Sequence, residues 1–292
     1  MSFATPGVST GGEPVSTGAA DESKDAPPPL PLDGFQIAGP FPHANLTVFL
    51  IRGKDLNASD YVPLAEALEK GLARVSERGE GSQASVNELE IENRGDIPVY
   101  VQAGDIVKGG RQDRTIAVDL VVAPHSGRIP LAAFCVEHGR WSGRGGIGSE
   151  FGAACFVSSN NILPSTALRR AALRDADQSA VWREVSDIQM DFASAARVSV
   201  QDASSPSSLQ LSLENETLKN ETGEYIEKLS PVANEHEDAV GVVVAINGKV
   251  ASAEVYGSHR LLVRLWPKLL EAAALQAVAE QRADSTTTCA PS

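Results

Sequence analysis

The sequence is poor in cysteine: Cys135, Cys155 and Cys289 are the whole set. Three thiols make no disulfide framework, and neither a CxxC pair nor a Cys/His ladder with zinc spacing occurs. A basic start followed by an apolar run is missing too, so MSFATPGVSTGGEPVSTGAADESKDAPPPLPLDG does not read as a secretory signal. No stretch approaches the roughly 18 apolar residues that a membrane span needs. Positive charge is scarce, with 25 Lys+Arg against 38 Asp+Glu and a net charge of −13. Clustered Lys and Arg supply the affinity for nucleic-acid phosphates and for anionic membranes, so neither is expected as the main partner. His43, His125, His236 and His259 are scattered, with no HxH, HExxH or 2-His-1-carboxylate spacing, and no dinucleotide fingerprint is present. No metal and no cofactor is therefore expected. These absences together read as a reduced, cytoplasmic protein.

What is present fits a globular chain. Its 292 residues are 42% hydrophobic and 22% charged, enough for one or two domains at roughly 150 residues each. Residues 1–33 are Pro, Gly, Ser, Thr and acid, too poor in large apolar groups to offset their ordering entropy, and read as a disordered tail. Within them Pro27-Pro28-Pro29-Leu30-Pro31 suits either a spacer or a polyproline II docking ligand. Residues 34–282 read as a single globular domain, and 283–292 (ADSTTTCAPS) as a flexible C-terminal tail.

Inside the domain, Leu46–Ile51 is rich in β-branched and aromatic residues and predicts a buried strand. Ser59-Asp60 as N-cap, Pro63 in the first turn and the stripe Leu64, Leu68, Leu72, Val75 predict a helix over 60–76. Alternation at period two marks Val86–Asn93 as a half-exposed strand. Val99–Val101, Thr115–Val122 and Ile129–Val136 follow as strands, with the Arg94–Pro98 and Pro124–Gly127 turns between. From Ser165 a long helical pattern runs to Ala195, with Leu168, Ala172, Leu173, Val181, Val185 and Ile188 on one stripe. Asp202–Ser208 reads as a linker and Asn215–Leu229 as another helix. Val240–Ile246 and Val250–Tyr256 flank Asn247-Gly248, the strongest two-residue hairpin signal. Ser258-His259 then lead into a helix over 260–281, which Pro267 threatens to split. Trp182 and Trp266 lie on helix stripes and read as packing. No 20–50-residue repeat is visible, and strands that precede helices favour an α+β fold, a mixed or antiparallel sheet with several packed helices.

Two segments carry the chemistry. In Gly104-Asp105-Ile-Val-Lys108-Gly109-Gly110-Arg111-Gln112-Asp113-Arg114, glycines beside three cations would let backbone N–H groups approach an anion. The order is not that of a Walker loop, and solvated charges on a hairpin loop remain the plainer alternative. In Phe134-Cys135-Val136-Glu137-His138-Gly139-Arg140-Trp141, Cys135 reads as a buried small hydrophobe. As a nucleophile it would need a base, and His138 diverges from it along a strand. Glu137 shares the parity of Cys135; if both point inward the carboxylate needs a partner, for which Arg111, Arg114 and Arg140 are candidates. Gly143–Gly148 suits a lid or a crossover.

These residues resemble a known family. Tyr61-Val-Pro-Leu-Ala-Glu-Ala-Leu-Glu-Lys-Gly71, Val86–Asn93, the Gly104–Arg114 and Phe134–Trp141 segments, the Gly241–Gly257 hairpin and Trp266-Pro-Lys-Leu-Leu270 are together similar to a bacterial domain family. It is the one named for its association with ADP-ribosylglycohydrolase and rhodanese-phosphatase-superfamily proteins. The likeness covers about 35–281, with two departures: Arg111 precedes Gln112, and Phe134 stands where a small polar residue is frequent. The family carries no assigned reaction, so the resemblance names the domain without naming its chemistry.

Two functions are weighed. In the first, Lys108, Arg111, Gln112 and Arg114, with Arg140 and Trp141, hold a small anionic ligand, which the family name suggests is nucleotide- or ADP-ribose-like. If there is catalysis it is hydrolysis or transfer, with Glu137 or Asp113 as general acid/base. In the second, the same motifs form a buried ion-pair network in a non-catalytic module, and Ser165–Ala195 serves a homo-oligomer. Charge is distributed in favour of the first. Lys108, Arg111, Arg114, Arg128, Arg140 and Arg144 outnumber Asp105, Asp113, Asp119 and Glu137 between 104 and 144, whereas in the tail Lys24 faces five acidic residues.

Overall fold

A computed structural model of the chain describes residues 34–56, 60–78, 88–109, 112–137, 156–158, 168, 171–172, 177–196, 199–201, 203, 206–213 and 215–287. The chain divides at Asp33–Gly34 into two units, and all the described residues belong to the second. The expected N-terminal tail, the Gly143–Gly148 loop and the residues Arg111, His138, Arg140, Trp141, Cys155 and Cys289 lie outside the described residues.

In chain order the described strands are β1 (Gln36–His43), β2 (Leu46–Arg52), β3 (Val62–Pro63), β4 (Ala73–Glu77), β5 (Glu88–Asn93), β6 (Val99–Val101) and β7 (Ile106–Gly109). They continue as β8 (Arg114–Ile116), β9 (Leu120–Val122), β10 (Gly127–Cys135), β11 (Phe156–Ser158), β12 (Ala239–Ile246) and β13 (Lys249–Val255). The helices are α1 (Leu64–Glu69), α2 (Gln178–Ala196), α3 (Leu209–Leu213), α4 (Glu216–Leu229), α5 (Pro231–Asn234) and α6 (His259–Thr287). The class is α+β, as the sequence predicts.

A four-stranded sheet runs β1-β2-β12-β13, every pair antiparallel. Asn247 and Gly248 take φ of 51° and 75° between β12 and β13, the two left-handed residues that a type I′ turn demands. Leu46, Val48 and Leu50 of β2 and Val242, Val244 and Ile246 of β12 form one apolar face. On it pack Leu262, Leu265, Trp266, Leu269 and Leu270 of α6 and Tyr225 and Leu229 of α4. Trp266 is a packing residue: it is buried, and its indole N–H donates to the Ser230 carbonyl at 3.0 Å. Pro267 does not split α6, which continues to Thr287 and so enters the segment expected to be tail. Packing from Leu261 to Val278 outweighs the one lost backbone bond.

The six-stranded sheet runs β11-β7-β8-β10-β5-β4. The nine-residue β10 is its spine, pairing with β5 through Ala132 and with β8 from Ala133 to Cys135. Leu89, Ile91, Ile116, Leu131 and Ala133 pack against Val62, Val99, Val101 and Val122 of the small sheet β3-β6-β9 and against Leu64 and Ala67 of α1. Ile106, Phe134 and Val136 pack with Val181, Val185, Ile188 and Phe192 of α2 and with Leu209 and Leu213 of α3. On β5 the alternation holds: Leu89, Ile91 and Asn93 are buried, and Glu88, Glu90 and Glu92 meet Arg78, Arg128 and Arg94.

Two expectations are corrected. The helix over 60–76 shrinks to α1, with β3 before it and β4 after. Gly71 at φ 67° donates to the Leu68 carbonyl and Leu72 to that of Ala67, a Schellman stop. Beyond it Ala73, Val75 and Glu77 alternate as a strand against β5. The strand expected over 115–122 is two strands in different sheets. Asp119 breaks it, because its Oδ1 accepts the Ala103 N–H at 2.8 Å and ties the crossover to the end of β6.

Candidate functional site

The β7-β8-β10 register places Val107, Arg114 and Cys135 on one rung, so their side chains share a face of the sheet. Ile116 and Ala133 lie one repeat further along the same face, inside the apolar core. Arg114 therefore stands at the rim of a hydrophobic interior, with a relative exposure of 0%. Its Nη1 donates to the Gln112 carbonyl at 2.9 Å. Its Nη2 lies 3.8 Å from Oε1 of Glu77, which is nearly enclosed at the end of β4. Nε and Nη2 find no hydrogen-bond acceptor among the described residues.

Asp113 and Glu137 are equally enclosed, at 0% exposure. The Asp113 backbone N–H donates to Glu137 Oε2 at 2.9 Å. Asp113 Oδ1 accepts the Gly109 N–H at 3.1 Å, and Oδ2 accepts the Ser208 hydroxyl at 2.8 Å. Gly109 adopts φ 135°, a left-handed setting that its missing Cβ permits. The Asp113 carbonyl accepts the Val136 N–H, and the Val136 carbonyl accepts that of Leu209, which draws the start of α3 onto the end of β10. Gln178, at the head of α2, clamps Cys135 by accepting its N–H at 2.9 Å and donating to its carbonyl at 2.8 Å. Two strand ends and two helix starts thus meet in one polar hub.

The hub sorts the sequence candidates. It brings together Gln112, Asp113, Arg114, Cys135 and Glu137, all buried, and leaves Lys108 half-buried on β7. Arg111, Arg140 and Trp141 lie outside the described residues. Arg114 faces Glu77 as its ion-pair partner, and Glu137 meets the Asp113 backbone. Burial pushes the Cys135 thiol above its ordinary range; Arg114 pulls it down, while Glu77 and Glu137 push it up again. That environment is the reverse of one that activates a thiolate. Glu77, Gln178 and Ser208 are absent from the sequence reading: Gln178 fell within the expected long helix, Ser208 in the expected linker, and Glu77 just past the helix expected over 60–76. The only signal for Glu77 is its shared parity with Val75 on β4.

A second polar cluster joins the small sheet to α6. Lys268, buried on α6, holds Asp105 at 2.6 Å, and Asp105 Oδ2 accepts the Gln102 N–H at 3.0 Å. The Gln102 side chain, 1% exposed, donates to the Tyr256 hydroxyl at 2.8 Å. Burial and then the charges of Asp119 and Asp105 push the Tyr100 hydroxyl far above its ordinary range. Lys268 enters the sequence reading only through the Trp266–Leu270 resemblance.

The fold and this hub define an α+β domain in which Gln112, Asp113, Arg114 and Glu137 turn inward. The chain belongs to the ARG and Rhodanese-Phosphatase-superfamily-associated Protein domain family, whose model matches residues 34–291. No curated protein and no solved structure matches it. Among the described residues no helix is long and apolar enough to cross a membrane, and no group of three or more His, Cys, Asp or Glu is placed to hold a metal ion.

Proposed function

We propose that the domain is a binding module for a small anionic group, nucleotide- or ADP-ribose-like, with Arg114 as the interior cation. One observation carries this reading: a fully enclosed guanidinium keeps two donors without hydrogen-bond acceptors among the described residues. A buried charged donor left unmet is costly, and an anion brought by a ligand offsets that cost. Lys108, Arg111, Gln112, Arg140 and Trp141 complete the binding set in this reading. Hydrolysis would fall to Glu137 or Asp113, but the Asp113 N–H already occupies Glu137 Oε2, and the Gly109 N–H and the Ser208 hydroxyl occupy both Asp113 oxygens. Binding therefore comes before catalysis in this reading. A free, buried Cys135 suits a reducing cytoplasm.

A second reading is supported by the enclosure of Asp113 and Glu137 at 0% exposure. In it the hub is a structural ion network, the module is non-catalytic, and the segment Ser165–Ala195 mediates a homo-oligomer. A thermal-shift screen with nucleotides, ADP-ribose and sugar phosphates separates the two. Ligand stabilisation that disappears in a folded Arg114→Ala variant supports binding. If wild type shows no shift and Arg114→Ala unfolds, the structural reading stands.

A further inference from the structure

We propose that the group Arg114 takes is one oxyanion, gripped through two oxygens by the Nε–Nη2 edge of its guanidinium. The proposal rests on the ligand reading above and narrows it to a chemistry. That edge carries two parallel N–H donors at the spacing of two oxygens of a carboxylate, phosphate or sulfate. Nη1, off this edge, is tied to the Gln112 carbonyl at 2.9 Å, which fixes how the guanidinium is turned. Nε and Nη2 are the two atoms that lack acceptors among the described residues, so the shortfall falls on one complete fork. At 0% exposure bulk water does not meet it.

Glu77 does not close the fork. Its Oε1 stands 3.8 Å from Nη2, beyond hydrogen-bond reach, and the Glu77↔Leu89 register holds its backbone at the end of β4. Glu77 and an incoming oxyanion thus carry like charge toward one guanidinium. Because Asp113 and Glu137 are enclosed nearby as well, the site suits a single oxyanion group better than a polyanion. The oxyanion is either free or the terminal group of a larger ligand.

The test titrates the full chain with inorganic phosphate, acetate, AMP and ADP-ribose by calorimetry and thermal shift at constant ionic strength. Arg114→Lys keeps the charge and removes the fork; Glu77→Gln removes the competing carboxylate. Saturable binding to wild type is expected, weakened about tenfold or more by Arg114→Lys and tightened by Glu77→Gln. Phosphate binding as tightly as AMP or ADP-ribose identifies a free oxyanion; tighter binding of the nucleotides identifies a terminal group. Should Arg114→Lys fail to fold, Glu77→Gln alone decides, and unchanged or weaker binding overturns the fork. Binding that both folded variants retain unaltered overturns the fork but leaves the ligand reading intact. If none of the four probes binds wild type, both are lost.

Discussion

Asp113 gives its backbone N–H to Glu137 Oε2 at 2.9 Å, with both side chains wholly enclosed. Through this bond the carboxylate two residues beyond β10 holds the residue just before β8, and Asp113 in turn holds Gly109 and Ser208. Glu137→Ala is expected to lower the unfolding free energy by about 1–3 kcal/mol, because the Asp113 N–H is left buried and unpaired. Glu137→Gln keeps an acceptor in place and is expected to cost less than Glu137→Ala. Urea unfolding of both variants checks this. A Glu137→Gln protein with full stability and unaltered ligand binding sinks the idea that the charge itself matters here.

Cys135 supplies a prediction with a defined sign. Burial raises its folded-state thiol above the ordinary value of about 8.5 that the unfolded chain keeps. Below that value both states are protonated and the contribution to stability is intact. As pH rises past it the unfolded state loses its proton first, so stability falls on the alkaline side. Native protein at pH 7.5 should therefore resist alkylation at Cys135, and denatured protein should react readily. Mass-spectrometric mapping of the labelled peptide measures both. Native labelling as fast as that of a free thiol rules the environment out.

How far the fold was legible in sequence depended on whether the signal was local. The Asn247-Gly248 hairpin, β2, the alternating β5 and the helix after Asn215 each declare themselves within a few residues, and Asn215 caps α4 by accepting the Thr217 N–H. The 60–76 segment misled because the stripe Leu64, Leu68, Leu72 continues past Gly71, and only the pairing with β5 makes 73–77 a strand. The hub was half visible. Asp113 and Arg114 stood out in one polar segment and Glu137 in a second, and the parity that Glu137 shares with Cys135 fits the burial of both. Their partners did not stand out, since Glu77, Gln178 and Ser208 reach the hub through tertiary pairing with no motif of their own.

The Lys268–Asp105 pair gives the sharpest energetic expectation. Both side chains are almost fully buried and 2.6 Å apart, and Asp105 is additionally fixed by the Gln102 N–H. Removing one member leaves the other charge uncompensated in the interior, so Lys268→Met is expected to cost about 3–5 kcal/mol. Asp105→Asn preserves an acceptor for Gln102 but leaves the ammonium unpaired, and should cost a similar amount. In the double variant neither charge remains, and its cost should fall well below the sum of the two single costs. Urea unfolding of all four proteins closes the cycle. A Lys268→Met variant that loses less than about 1 kcal/mol would mean that solvent reaches the pair, because screened surface ion pairs lie in that range.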